Sequence, residues 1–192
     1  FVDQRDNRKR VRELVRGLRV LNLFSYTSSF GVAAALGGAS RVVSVDVSRR
    51  ALDVARENFR ANGLDPTKHG FEQSDALEWL VRAAKRNERF DLVVLDPPSF
   101  ASDAGGTAFN VREHYGLAAE RALRVLAPGG RLLAVTNHRK TSVGRLRRTL
   151  REAAERARVR VKQLKDLPSG LDCPSGPDGP SPSKSVLVTL ER

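Results

Sequence analysis

Four short, nearly unbroken runs of Val and Leu punctuate the chain at residues 20–24, 41–46, 90–95 and 131–136. Runs of that length without alternation predict strands buried on both faces, as in a parallel sheet covered by helices. Between them the apolar positions recur three and four apart. One helix is predicted over 30–36, stopped by Gly37 and Gly38, and a second over 48–62, stopped by Gly63, with Leu52, Ala55 and Phe59 on one face. A third starts at Asp75, because Asp75 and Glu78 have capping-box spacing ahead of Leu77, Leu80, Val81 and Ala84. Two more cover 111–126, ended by Pro128, Gly129 and Gly130, and 142–157, whose apolar stripe is Leu146, Leu150 and Ala154.

Strand alternating with helix at this spacing predicts an α/β fold with a doubly wound, mostly parallel sheet, since parallel neighbours need helical crossovers. The tail changes character. Residues 158–164 and 185–190 predict a final strand pair, separated by a loop over 168–183 that holds five prolines and no apolar periodicity. Residues 1–19 are read as a lead-in segment to a single domain spanning 1–192.

Composition narrows the function classes. A hydrophobic fraction of 40% supports a sizeable core, and no apolar run reaches the roughly 20 residues of a membrane-spanning helix, so no membrane partner is expected. The single cysteine, Cys173, allows no internal disulfide and fits a reducing, cytoplasmic setting. The chain starts at Phe1, holds no Met and shows no signal-peptide pattern, which suggests a domain from within a longer protein. Its 34 basic against 22 acidic residues leave a net charge of +12, and the excess is local. Residues 1–20 hold seven basic and three acidic side chains, a net of +4; residues 139–162 hold ten and two, a net of +8. Such concentrations are the footprint of a polyanion partner, RNA first. The competing account is that Arg145, Arg147, Arg148, Arg151, Arg156 and Arg158 form the solvated face of a surface helix.

In an open α/β sheet, ligands bind beyond the carboxyl ends of the strands. Four such positions carry candidate chemistry. After the first strand, Phe24-Ser25-Tyr26-Thr27-Ser28-Ser29-Phe30 is small and polar enough to wrap a ligand, yet it is not G-x-G-x-x-G, which counts against a dinucleotide. Asp46 ends the second strand, where a carboxylate can accept from ribose hydroxyls. Within Ser74-Asp75-Ala76, Asp75 reads equally as a partner for an adenine amino group or as a helix N-cap. Asp96-Pro97-Pro98-Ser99-Phe100 closes the 90–95 strand, and its consecutive prolines hold a rigid turn that projects a carboxylate, a hydroxyl and an aromatic ring toward a flat base. His69, His114 and His138 offer no ligand spacing, so no metal is expected.

With Phe1-Val2-Asp3-Gln4-Arg5-Asp6-Asn7-Arg8, Val20 to Thr27, Val43-Ser44-Val45-Asp46, the Asp96-Pro97-Pro98-Ser99-Phe100 loop and Leu126-Ala127-Pro128-Gly129-Gly130, the chain resembles the catalytic domain of class I S-adenosylmethionine-dependent large-subunit ribosomal RNA methyltransferases. The similarity covers essentially the whole chain and points to the branch that makes 5-methylcytosine or 7-methylguanine. It implies a Rossmann-like sheet of about seven strands with an antiparallel C-terminal strand, S-adenosylmethionine as cofactor, ribosomal RNA as partner, an RNA-binding domain upstream and a possible homodimer. It also implies site residues. The cofactor would be held by Gln4, Arg5, Phe24, Ser25, Tyr26, Thr27, Ser28, Asp46, Ser48, Asp75, Ala76 and Asp96. Asp96, Pro97, Pro98 and Asn137 would face the reaction, and Ser99, Phe100, His138, Arg139, Lys140 and Arg145 the substrate.

Two departures shape the functional expectation. Ser28-Ser29 stands where the family usually has Gly-Gly, which keeps the backbone farther from the methionine carboxylate and adds a hydroxyl donor. The 5-methylcytosine branch needs a thiolate after the fifth strand, because C5 of cytosine is a poor nucleophile until C6 is attacked. Thr136-Asn137-His138-Arg139 stands there instead, and the only thiol is Cys173 in the proline-rich loop. Nitrogen methylation of guanine is therefore preferred, with cytosine C5 methylation and an inactive RNA-binding module as alternatives. Asn137 and His138 would read the base edge or, in the competing account, only terminate a strand. A nucleotide-dependent oxidoreductase is disfavoured by the missing glycine fingerprint.

Overall fold

The computed structural model describes residues 2–98, 100–101, 109–168, 170 and 183–192. Ser99, Cys173 and most of the proline-rich loop predicted over 168–183 lie outside the described residues. The elements run α1 (Arg5–Leu14), β1 (Arg19–Leu23), α2 (Ser29–Leu36), β2 (Arg41–Asp46), α3 (Arg49–Ala61), β3 (Gly70–Gln73), α4 (Ala76–Lys85), β4 (Phe90–Leu95), β5 (Phe100–Ala101), β6 (Phe109–Asn110), α5 (Val111–Arg124), β7 (Leu126–Thr136), α6 (Val143–Ala157), β8 (Val161–Leu167) and β9 (Lys184–Leu190).

Seven strands form one sheet in the order β3-β2-β1-β4-β7-β9-β8. The first five are parallel, and β9 runs antiparallel to both β7 and β8. The mostly parallel doubly wound sheet expected from the sequence is thus what the chain adopts. Because successive side chains point to opposite faces, Leu21, Leu23, Val43 and Val45 pack under α4, α5 and α6. Val20, Val42, Leu92 and Val94 pack on the other face, against Val11 and Val15 of the N-terminal region and Phe30 and Ala34 of α2. Three predicted helix starts are capped as their sequences imply: the side chains of Ser48, Asp75 and Ser142 accept from the backbone N–H of Ala51, Glu78 and Arg145.

Four features differ from the sequence expectation. The lead-in segment contains α1, whose Asn7 and Val11 are buried although charged residues dominate the helix. Buried hydrogen bonds from Gln4 to Ser183 and from Asn7 to Ser185 fasten it to the sheet at β9. Next, β3 has only four residues and sits at the sheet edge with half-exposed side chains, too short for a periodicity signal. The Pro128-Gly129-Gly130 segment does not simply stop a helix. Strand β7 already starts at Leu126, paired with Phe90, and the register then jumps to Arg131 opposite Leu92, a bulge in which Gly129 takes φ +74°. Finally, β8 begins at Val161 and not at 158, because Arg158 takes the left-handed conformation that ends α6.

Candidate active site

The sheet's order reverses between β1 and β4, and the predicted positions gather at that switch point. Leu23 and Leu95 are paired across β1 and β4, so Phe24 and Asp96 leave the sheet side by side. On the other flank β2 delivers Asp46. Its two carboxylate oxygens accept from the backbone N–H of Tyr26 at 2.7 Å and of Ser48 at 2.9 Å, while its carbonyl accepts from Ser74 N–H at 3.0 Å. Asp46 therefore ties together three of the predicted segments: the loop after β1, the start of α3 and the turn before α4.

The loop after β1 is conformationally demanding. Phe24, Tyr26 and Ser28 all have positive φ, at 53°, 46° and 59°. That conformation costs a non-glycine residue roughly 1–2 kcal/mol, and it persists where surroundings over-determine it, as at ligand-binding turns. For Ser28 the surroundings are visible. Its side chain is fully buried, its hydroxyl is 2.6 Å from that of Ser44, and Asn22 donates to it at 3.3 Å. The hydroxyl that stands in place of glycine is thus turned into the sheet and is not offered to a ligand at the loop surface. A Cβ on Gly31 would lie 2.1 Å from the Ser28 hydroxyl, so the serine is accommodated only because Gly31 follows. Asn58 of α3 donates to the Thr27 carbonyl at 2.9 Å and braces the loop from outside.

One buried polar atom in this region has no partner among the described residues, the hydroxyl of Ser25. An orphaned hydroxyl in the loop that the Asp46 carboxylate anchors fits a ligand rich in hydroxyl, amino and carboxylate groups. Asp75 caps α4 through one carboxylate oxygen, at 2.9 Å from Glu78 N–H, and Ala76 is buried behind it. The helix-cap account of Asp75 is therefore observed, and an adenine contact would use its other oxygen.

Asp96 is partly buried, with Pro97 buried and Pro98 exposed after it. Burial, reinforced by the Asp3 carboxylate, pushes the Asp96 carboxyl up to about 7, against the pull of the Arg8 guanidinium. Burial in turn lowers Arg8, opposed by Asp3. The hydroxyl of Tyr115 on α5, raised by burial and then by Asp96, donates to the Val135 carbonyl at 3.0 Å. Sequence reasoning does not mark Arg8, Asp3 and Tyr115 as site residues: Asp3 and Arg8 lie within the N-terminal motif that carries the resemblance without being assigned a role, and nothing marks Tyr115, since the N-terminal segment and α5 meet β4 only in three dimensions. Asn22 and Ser44, by contrast, carry a readable signal as polar residues inside otherwise apolar strands.

At the end of β7, Asn137 is exposed and His138 half-buried. The His138 ring lies 2.9 Å from the Thr141 hydroxyl, and its carbonyl accepts from Lys184 at 3.1 Å. Arg139, Lys140 and Arg145 are exposed beyond it. Gln4 and Arg5 are on the α1 side. The Gln4 amide is committed to Asp3, Asn7 and Ser183, which makes it a fastener of α1, and Arg5 pairs with Asp6 at 3.6 Å. Phe100 opens the short β5–β6 pair, its backbone opposite Asn110. Among the described residues there is no cluster of three His, Cys, Asp or Glu able to hold a metal, and no helix long and apolar enough to cross a membrane.

The chain is similar in sequence and fold to known proteins. The chain is 36% identical over 182 residues to the ribosomal RNA large subunit methyltransferase I of Erwinia tasmaniensis, a match covering 93% of this chain and 46% of that protein. It is 43% identical over 140 residues to the ribosomal RNA large subunit methyltransferase K/L of Alcanivorax borkumensis, covering 73% of this chain and 20% of that protein. The crystal structure of SMU.776 complexed with SAH superposes with a TM-score of 0.87 at 30% identity, covering 98% of this chain and 50% of that one. The chain thus spans less than half the length of these curated relatives. Residues 1–175 match the S-adenosylmethionine-dependent methyltransferase family, and with the switch-point loop, Asp46 and the Asp-Pro-Pro turn in the arrangement described above, the chain belongs to that family.

Proposed function

We propose that this chain is the methyl-transfer domain of an enzyme that modifies a base of large-subunit ribosomal RNA, with a guanine nitrogen as the preferred acceptor. The observation that carries it is the juxtaposition of the Asp46-anchored loop with the Asp96-Pro97-Pro98 turn at one switch point, flanked by Thr136-Asn137-His138 where covalent cytosine chemistry would need a thiol.

When bound, S-adenosylmethionine supplies an electrophilic methyl group on a sulfonium. Asp46 would accept from the ribose hydroxyls, a charge-assisted pairing. Ser25 would give its orphaned hydroxyl a partner, the backbone of Phe24, Tyr26, Thr27 and Ser28 would line the methionine end, and Ser48, Asp75 and Ala76 the adenosine end. Gln4 and Arg5 would act from α1, Gln4 by holding that helix in place. Asp96, as a carboxylate, would accept from N–H groups on the base edge and so hold the ring in line, which suffices when the acceptor nitrogen already presents a lone pair. Pro97 and Pro98 keep that turn rigid. Asn137 would orient the base, with Ser99, Phe100, His138, Arg139, Lys140 and Arg145 contacting the nucleotide and its neighbours. To the same proposal belong the RNA-binding domain upstream, the cytoplasmic setting and any homodimer.

Calorimetric titration with S-adenosylhomocysteine, with NADH as control, tests the pocket: the former alone should bind. Incubation with labelled S-adenosylmethionine and large-subunit RNA, followed by nucleoside mass spectrometry, tests the acceptor. Methylguanosine is expected. 5-Methylcytidine that disappears in Cys173→Ala would replace this reading with the covalent cytosine mechanism, and binding of RNA without methylation would reduce the chain to a binding module.

A further inference from the structure

A groove of about 410 Å³ lies on the outer side of α1, α2 and α3. One wall is Arg5, Arg8, Lys9 and Arg12 of α1. Their spacing of three, four and seven puts them on one stripe of the helix, about 10 Å long. The floor is apolar, with Val32 and the exposed Leu36 of α2, and the far wall is Asn58 and Asn62 of α3. Backbone packing creates this shape. The carbonyl of Arg12 sits so close to Gly37 that a Cβ there would lie 2.2 Å from it, so the glycine lets α1 lie against α2.

The groove borders the loop after β1. Arg8 feels the Asp96 carboxylate, Ser29 at the groove's edge follows the loop after β1, and Asn58 holds the Thr27 carbonyl of that loop. Among the described residues, neither Lys9 nor Arg12 has a carboxylate partner. On α6, which carries the same five basic and two acidic side chains as α1, Arg147 pairs with Asp166 at 3.4 Å and Arg156 with Glu120 at 2.9 Å, while Arg145, Arg148 and Arg151 have no carboxylate partner among the described residues, and none of the five lines this groove.

From this we infer that the α1–α2–α3 groove is the track for the phosphate backbone of single-stranded RNA flanking the target base, and that the Arg148–Arg151 side of α6, which does not line the groove, is not. The inference rests on the RNA-substrate reading above. A row of cations along an open channel suits a strand better than a compact anion, and a single strand is what lets a base reach a buried reaction centre. The apolar floor accepts ribose and base faces, while the asparagine amides serve as donors to the backbone.

The test is fluorescence anisotropy of the protein with a short labelled single-stranded RNA of mixed sequence, across a salt series. Lys9→Glu/Arg12→Glu should weaken binding by about tenfold or more and flatten the log–log salt slope by about 1.4, about 0.7 for each phosphate no longer neutralised. Arg148→Glu/Arg151→Glu should leave both near the wild-type values. Binding of S-adenosylhomocysteine and the thermal midpoint should be unchanged in both pairs, and the milder Lys9→Gln/Arg12→Gln should show an intermediate RNA effect. The inference is overturned if the Lys9/Arg12 pairs bind RNA like wild type while the Arg148/Arg151 pair does not, or if Lys9→Glu/Arg12→Glu loses S-adenosylhomocysteine but keeps RNA. Absence of RNA binding by the wild-type protein would instead remove the substrate reading beneath it.

Discussion

Two helices, α1 and α6, carry half of the local charge excess in equal parts, and in sequence they look alike: arginine-rich, with a thin apolar stripe. In the fold they play different parts. Helix α6 is a structural pillar, with Leu146, Leu150, Ala153 and Ala154 buried against the sheet and α5, and with Arg147 and Arg156 drawn to carboxylates on neighbouring elements. Helix α1 buries little, is fastened through amide–hydroxyl bonds to β9, and turns four cations toward a groove that borders the loop after β1. Net charge along a chain therefore ranks segments poorly as polyanion sites. Among the described residues each helix has both paired and unpaired cations, so what separates them is that four cations of α1 line one shared groove.

The sharpest way to break this contrast is through the core. Leu150→Ala should cost about 2–5 kcal/mol in denaturant unfolding, as a buried leucine truncated against α5, without altering the salt slope of RNA binding in the folded protein. Asn7→Ala should cost about 1–3 kcal/mol, because it leaves the buried Gln4 carbonyl and the Ser185 hydroxyl without a partner. Hydrogen exchange should show the loss confined to α1 first. Asp46→Ala should weaken S-adenosylhomocysteine binding by about 1–3 kcal/mol in calorimetry, and an unchanged affinity would detach Asp46 from the cofactor and leave it as a loop anchor only.

Asp96 links α1 to the reaction centre through pH. Its folded carboxyl is raised to about 7 from an ordinary 3.8, so the folded state holds this proton more tightly than the unfolded chain does. That contribution to stability is complete below about pH 4 and is lost as pH rises through 7. The thermal midpoint of Asp96→Asn should accordingly fall less than that of the wild type between pH 5 and 8. The smallest effect is expected on the α6 side. Glu120→Gln removes the partner of Arg124 and Arg156, half-exposed arginines on a mostly covered carboxylate, and near-surface pairs of this type are worth about 1 kcal/mol or less each. It should lower the midpoint slightly and raise RNA affinity only marginally, whereas a large gain in RNA affinity would return α6 to contention.

Much of the architecture was legible in the chain. The strands at 41–46 and 90–95 have the bounds expected, and three helix starts follow from Ser48, Asp75 and Ser142, because burial on both faces and N-capping are local requirements written in local residue types. The switch-point residues were also legible, since a strand end must hand its next side chain to the ligand crevice. Less legible were α1, hidden by its charge, and β3, a four-residue edge whose neighbour Val42 donates its N–H to the His69 ring.

What sequence alone determined, then, was the order of elements and the positions at strand ends, both set by short-range periodicity and caps. Tertiary structure decided the direction of the Ser28 hydroxyl, which a serine in the left-handed region can bury only against Gly31 and Ser44. It also decided the environment of Asp96, built by Asp3, Arg8 and Tyr115 from opposite ends of the domain, and the division of labour between two basic helices. These depend on which distant groups come within a few ångströms, where desolvation and pairing act, and no spacing along the chain encodes that distance.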